Sequence, residues 1–212
     1  MTGRPAGYAE ATVAAYDLYA AKAIASWERL RVPSRWLTRF AALLPIGGRV
    51  LDYGCGIGTE MRWLLSRGFR VEGVDGSRAF VREARRRCPG ERVTQGLFDA
   101  VPLAPGAYDG VWCQAALMHV PPEHLRMQLE KLRRTLRPQG WLGLTLAWGR
   151  SRGVLDQDWI PGRYWAGYSK REIQALLRNW RVRELRVMNN DGRAGRWVKV
   201  LAAPGAPAER NT

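Results

Sequence analysis

The sequence predicts an α/β fold: a doubly wound sheet of seven strands, mostly parallel, with a C-terminal antiparallel hairpin and an N-terminal helical cap. Three observations lead there. Short apolar runs alternate with segments of helical period from residue 49 to residue 147, the pattern of a parallel sheet covered on both faces. The last two apolar runs have no helix between them and are separated by N-N-D-G, which is hairpin-turn chemistry. A stretch rich in Ala and Leu, with helical character, precedes the first strand.

Residues 9–31 read as one helix carrying Tyr16, Tyr19 and Trp27, ended by Pro33. Ser34 caps a second helix over 35–44, whose apolar stripe is Trp36, Leu37, Phe40, Leu43 and Leu44. Gly47-Gly48 turns the chain into the first strand, R-V-L-D-Y, which ends at Gly54. A helix fits 59–67, with Met61, Leu64 and Leu65 on one face, followed by a strand at 70–75. Phe80, Val81 and Ala84 give an apolar face to a helix over 78–88, and a short strand follows at 91–95. The loop F-D-A-V-P-L-A-P-G leads to a strand at Asp109–Cys113 and a helix from about Glu123 to Leu136. The turn Pro138-Gln139-Gly140 then opens a strand at 141–147. Beyond it lie a loop rich in Gly, Trp and Tyr to residue 168, a helix over 170–178 capped by Ser169, and strands near 181–188 and 196–202. The tail, residues 204–212, is expected to be disordered.

With 212 residues, 46% of them apolar and 25% charged, the chain can bury a core without a disulfide or metal staple. Cys55, Cys88 and Cys113 form no C-x-x-C pair, which argues against a disulfide framework or a zinc site. The start, M-T-G-R-P-A-G-Y, lacks the apolar stretch of a signal peptide, and no run approaches a membrane span. A cytoplasmic protein, monomer or homodimer, without membrane partners is therefore expected. The net charge of +15 rests on 30 Arg against four Lys. Such an excess can attract nucleic acid. Yet Arg85, Arg86 and Arg87, and again Arg133, Arg134 and Arg137, close helical segments, where cations are favourable for local reasons. The one candidate for a concentrated patch is Arg29, Arg31, Arg35 and Arg39.

After the first strand stands D-Y-G-C-G-I-G, residues 52–58. Glycines at 54 and 56 allow a tight turn and close approach of a ligand at the carboxyl edge of the sheet. Asp75, ending the next strand, is placed to accept from ribose hydroxyls. A nucleoside is thus expected, and Asp52 selects its charge. A carboxylate beside the glycine turn repels a pyrophosphate and attracts a cation, and the G-x-G-x-G spacing departs from the dinucleotide G-x-G-x-x-G.

Taken together, V-L-D-Y-G-C-G-I-G, V-E-G-V-D-G-S, G-L-F-D-A-V-P-L, Y-D-G-V-W-C-Q-A-A-L-M-H-V and L-R-P-Q-G-W resemble the class I S-adenosylmethionine-dependent methyltransferases, over nearly the whole chain. The resemblance implies a Rossmann-like fold and S-adenosyl-L-methionine as cofactor. It implies that Asp52, Gly54 and Gly56 hold the methionine end, with Gln114 and Ala115 beside it. Asp75 would hold the ribose, Asp99 the adenine amino group, and Leu97 and Phe98 the adenine ring. The chain is most similar to small bacterial members in which an N-terminal Y-D-x-x-A helix covers the cofactor, matched by Tyr16 and Asp17. Residues 1–203 are then expected as one domain: a helical lid at 9–44, a cofactor-binding core at 45–147 and a substrate side at 148–203. Gln139 and Gly76 depart from the family pattern, at the usual P-G-G turn and at a usually apolar position.

Methyl transfer from a sulfonium needs alignment and water exclusion, and a base only when the nucleophile arrives protonated. His119, after the fourth strand, is the candidate base, since an ordinary imidazole titrates near ~6.5. The same position could instead simply close the strand before Pro121. His124 is expected at the surface. In the loop 148–168, Arg163 and Tyr168 are the candidate substrate contacts, with Arg163 gripping a carboxylate. The expected activity is methylation of the O or N atom of a small molecule. RNA (tRNA or rRNA) methylation and a non-catalytic cofactor-binding regulator are the alternatives. The D/N-P-P-aromatic motif of base-amine methyltransferases is missing after strand four, where Q-A-A-L stands.

Overall fold

The computed structural model describes residues 7–29, 33–190 and 193–205. Its centre is a seven-stranded sheet in the order β3-β2-β1-β4-β5-β9-β8. The five strands β1 (Arg49–Tyr53), β2 (Arg70–Asp75), β3 (Val93–Gln95), β4 (Tyr108–Gln114) and β5 (Leu136–Ala147) run parallel. Between β5 and the edge strand β8 (Trp180–Asn190), β9 (Arg193–Pro204) runs antiparallel to both. The expected α/β sheet with its closing hairpin is therefore present. Residues 191–192 of the N-N-D-G turn, and 206–212 of the tail, lie outside the described residues.

Strand alternation sends side chains to two cores. Val50 joins the face covered by α3 (Arg35–Ala41), α4 (Thr59–Ser66) and α5 (Arg78–Arg87), where Leu37, Phe40, Met61, Leu64 and Val81 pack. Leu51 and Tyr53 face the other way, onto Leu125, Leu129 and Leu132 of α6 (Pro122–Thr135) and Ile173 of α7 (Lys170–Leu176). Ser34, Ser77 and Ser169 cap α3, α5 and α7 through their hydroxyls, and Ser169 with Glu172 completes a capping box.

Three expectations need correction. The helix expected over 9–31 is two, α1 (Tyr8–Leu18) and α2 (Ala20–Trp27), broken at Tyr19 (φ −102°, ψ 22°). Beyond the break α1 packs on β7 and α5, and α2 on α5, a tertiary demand that no Gly or Pro announces. The turn at Pro138-Gln139-Gly140 lies within β5, as a bulge: Tyr108 pairs Leu136 and Gly110 already pairs Trp141. The loop 148–168 contains a two-stranded antiparallel ribbon, β6 (Arg152–Leu155) and β7 (Arg163–Ala166), as well as irregular chain.

Chain order fixes where a ligand can sit. From β1 the chain moves outward through β2 and β3, then returns to lay β4 on the other side of β1. That reversal opens a crevice at the carboxyl ends of β1 and β4. No described helix is long and apolar enough to cross a membrane, and no described cluster of His, Cys, Asp and Glu could hold a metal ion.

Candidate functional site

At the crevice lies a cleft of about 430 Å³. Its floor is made by the ends of β1, β2 and β4, one wall by residues 96–99, the roof by α1 and α2, and the far end by residues 158–165 and Trp197. Tyr16, Asp52, Gly54, Gly56, Asp75, Phe98, Asp99, Gln114, His119 and Arg163 all line it. Tyr168 does not; it is buried, and its hydroxyl donates to the Val120 carbonyl at 3.1 Å.

The turn after β1 is held by two backbone bonds, from Gly54 and Cys55 N–H to the Val74 carbonyl. Gly54 has φ +87°, and a Cβ there would overlap that of Ala116. The opposite lip is strained as well. Ala115 has φ +52°, in the left-handed region, anchored by its N–H to Thr145 Oγ1 at 3.0 Å.

Asp52 is 2% exposed, and its Oδ2 has no hydrogen-bond partner. Two further orphaned atoms, Thr59 Oγ1 and Gln114 Oε1, line the same cleft. A native fold rarely leaves buried polar atoms unpaired without a purpose. Burial pushes the Asp52 carboxyl well above its ordinary range, and the neighbouring charges of Glu60 and Asp75 push it the same way. The site is therefore short of positive charge. An N–H-bearing cation would satisfy orphaned acceptors and return Asp52 to its ionised form, whereas a phosphate would worsen the repulsion. These residues fit the cationic end of S-adenosylmethionine.

Asp75 accepts from Gly56 N–H at 2.9 Å and Ser77 N–H at 2.9 Å. Burial nonetheless lifts its carboxyl to about 6, against those two backbone donors. The loop after β3 is held by α6. Lys131 Nζ donates to the carbonyls of Phe98 (2.5 Å) and Val101 (2.6 Å), and Gln128 Nε2 donates to Asp99 Oδ1 at 2.6 Å. The Tyr53 hydroxyl lies 2.9 Å from the Phe98 carbonyl and 3.1 Å from Gln128 Oε1, and the Tyr53 and Phe98 rings sit 4.4 Å apart. Sequence reasoning missed this support, although one signal was readable. Gln128 interrupts the apolar stripe Leu125, Leu129, Leu132 of α6, and a buried polar residue there needs a partner.

The roof is tied down by side chains. Asp17 reaches the N-terminus of α5, accepting from Ser77 Oγ (2.5 Å), Ala79 N–H (3.0 Å) and Arg78 N–H (3.3 Å), where a carboxylate complements the helix dipole. Thr12 Oγ1 accepts from Tyr164 N–H at 2.9 Å. Gly76 makes room for this helix, because a Cβ there would stand 2.5 Å from Val13 Cγ2. The departure from an apolar residue at 76 is thus matched by an apolar side chain arriving from the roof. His124, expected at the surface, is partly covered: Tyr8 of α1 stacks on it at 6.1 Å.

His119 closes a 3-10 turn, Leu117–His119. Its Nδ1 lies 2.7 Å from the Tyr164 carbonyl and its Nε2 lies 2.9 Å from the Tyr16 hydroxyl. A carbonyl only accepts, so Nδ1 carries a proton, and in the uncharged ring Nε2 accepts from Tyr16. Tyr16 in turn accepts from an Arg163 N–H at 2.9 Å. Arg163, 4% exposed, is held by Asp158, with Nε to Oδ2 at 2.9 Å. Its guanidinium is engaged by Asp158 and Tyr16 where it lines the cleft.

The comparisons with known proteins agree with this geometry. Residues 50–140 match a family model described as a methyltransferase domain. A malonyl-[acyl-carrier protein] O-methyltransferase of Enterobacter lignolyticus is 35% identical over 129 residues, covering 61% of this chain and 47% of that protein. Methyltransferase GfsG of Streptomyces halstedii is 36% identical over 117 residues, covering 52% of this chain and 41% of that protein. The chain thus spans less than half the length of these curated relatives. In fold it is similar to Burkholderia thailandensis 1,6-didemethyltoxoflavin-N1-methyltransferase, solved with its acceptor and S-adenosylhomocysteine (TM-score 0.75, 17% identity, 97% of this chain and 92% of that one). Residues 50–140 are thus similar to a methyltransferase domain, and the α/β sheet has the fold of the Burkholderia methyltransferase.

Proposed function

We propose that this chain binds S-adenosylmethionine in the cleft and transfers its methyl group to an oxygen or nitrogen of a small molecule. The observation that carries the reading is the buried Asp52 carboxylate with its unpartnered oxygen, facing a cleft already crowded with acids. When bound, the cofactor supplies a methyl group on a cationic sulfur. Asp52 and Gln114 would receive its ammonium end, Asp75 the ribose, and the 97–99 loop, clamped by Gln128 and Lys131, the adenine. His119, Tyr16 and the aromatic far end remain for the acceptor. The bound S-adenosylhomocysteine of the Burkholderia neighbour supports the cofactor assignment.

The net charge of +15 does not favour RNA in this reading. Arg39, Arg49, Arg86, Arg87, Arg133, Arg134, Arg137 and Arg152 each pair with an acid, on many elements. RNA affinity needs several phosphates neutralised by one face. Of the expected patch, Arg39 is paired with Glu184, and Arg31 lies outside the described residues.

Calorimetry tests the cofactor assignment. S-adenosylhomocysteine should bind and NAD should not; the reverse result ends the proposal. A pH series adds a signature. Ribose hydroxyls donate to an ionised Asp75, whose carboxyl titrates near 6, so affinity should hold above that pH and fall below it. In the free protein the sign is opposite. The raised value adds stability below the ordinary carboxylate range, and that stability is lost as the pH rises to about 6. Incubation with labelled cofactor then separates acceptors: label in a small-metabolite pool supports the reading, and label at one RNA nucleotide overturns it.

We also propose that α1 and α2 are a lid that closes on the cofactor, since Tyr16, Trp27 and Val13 all line the cleft from above. Amide exchange over residues 8–27 should slow when S-adenosylhomocysteine binds. Equal exchange with and without it would make these helices a fixed roof.

A further inference from the structure

We propose that Tyr16, and not His119 directly, takes the proton from the methyl acceptor, that His119 receives Tyr16's own proton, and that the acceptor is a planar aromatic compound with an acidic hydroxyl. The use of that oxygen for methylation rests on the function proposed above. The proton relay does not.

The geometry assigns the order. His119 Nε2, the only ring nitrogen able to accept, is already met by the Tyr16 hydroxyl at 2.9 Å, and Nδ1 is committed to the Tyr164 carbonyl at 2.7 Å. An acceptor reaching His119 would have to displace Tyr16, which also accepts from Arg163, itself paired with Asp158. Tyr16 also lines the cleft itself. A hydroxyl oxygen can donate one proton while accepting others, so an acceptor O–H can donate to Tyr16 Oη as Tyr16 donates to His119. In the relay the acceptor O–H bond breaks and its electron pair stays on the acceptor oxygen. The proton bonds to Tyr16 Oη, while Tyr16's original proton moves to His119 Nε2. Nothing is oxidised. The resulting imidazolium keeps its Nδ1–H on the Tyr164 carbonyl. Tyr16, neutral again, donates to the new phenolate.

Two observations select the acceptor class. A relay through a phenol and an imidazole suits an acid about as strong as a phenol, with a pKa near ~10 or below, and does not suit an aliphatic alcohol. The surroundings of the relay are aromatic. Trp165 lies 6.2 Å from the His119 ring and 6.2 Å from Trp197, Arg163 sits over both Trp165 and Trp159, and Tyr8, Trp159, Trp165 and Trp197 line this end of the cleft. Flat rings offer a large apolar contact to another flat ring.

The test uses 4-nitrophenol, whose ionised form absorbs separately from its neutral form, with the full chain and no cofactor. At a pH just below its solution pKa, nitrophenol bound to the wild-type protein should show the phenolate band in excess of the free compound. Tyr16→Phe keeps the ring contacts to Trp27, Phe80 and His119 and removes the hydroxyl, so bound nitrophenol should stay neutral. His119→Gln, which leaves Tyr16 in place, should do the same. Binding is followed separately by tryptophan fluorescence. Phenolate persisting in Tyr16→Phe overturns the assignment of Tyr16. Neutral nitrophenol on the wild type, or phenolate persisting in His119→Gln, overturns the relay. No binding to the wild type overturns the acceptor class. If Tyr16→Phe no longer binds, His119→Gln decides. Calorimetry with S-adenosylhomocysteine on the same wild-type sample separates the two proposals: ionisation without cofactor binding removes only the methyltransferase reading, and cofactor binding without ionisation removes only the relay.

Discussion

Replacing His119 with alanine should lower turnover by ~10²–10⁴, the usual contribution of a positioned acid or base, on any acceptor that arrives as a hydroxyl. The imidazole is oriented by one carbonyl and couples to the cleft through Tyr16, so its loss removes the terminal proton sink. S-adenosylhomocysteine affinity should change little, because Asp52, Gln114 and Asp75, the groups proposed to hold it, lie on other elements. Single-turnover rates and calorimetry on the same variant check both halves. Normal turnover would return His119 to a structural role, bracing the Tyr164 carbonyl against α1.

Asp52→Asn should have opposite effects on binding and on stability. The buried carboxylate is disfavoured by burial and by the charges of Glu60 and Asp75, and a neutral amide of the same shape removes those costs. The cofactor-free variant should therefore unfold at a higher temperature. Its affinity for S-adenosylhomocysteine should fall by roughly 1.5–3 kcal/mol, the scale of a hydrogen bond to a charged group. Such a trade is expected where a site keeps charge that the empty fold does not want. Thermal unfolding with and without ligand reads both terms. Unchanged affinity would mean that Asp52 does not hold the ligand's cation.

Much of this was legible in the residues. Alternating periods announced the sheet, and N-N-D-G announced the hairpin whose strand β9 is the one that runs against its neighbours. The glycine turn, Asp52, Asp75 and Asp99 could be found because each stands at or after the carboxyl end of a strand, and a parallel sheet brings those ends to one edge. The break at Tyr19 was not legible, since no residue in A-Y-D-L-Y-A-A-K stops a helix. Nor was the bulge in β5, because Pro138-Gln139-Gly140 reads as an ordinary turn and only pairing with β4 shows the strand continuing around it.

The site divides in the same way. Sequence by itself determined that Asp52, Gly54, Gly56, Asp75 and Gln114 share one cleft, because they stand at or just after the ends of β1, β2 and β4, and strand order gathers those ends. Only the tertiary structure decided the end of the cleft proposed for the acceptor. Tyr16 and His119 are 103 residues apart, and Tyr16 and Arg163 are 147 apart. They meet because α1 packs on β7 and Asp17 fastens it to the N-terminus of α5. The same folding brings Arg163 to Asp158 and Tyr16 at the cleft, and draws Tyr168 into the core. Spacing along a chain encodes periodic neighbours. A contact closed across the whole fold is set by packing and by the buried partners that each polar group must find.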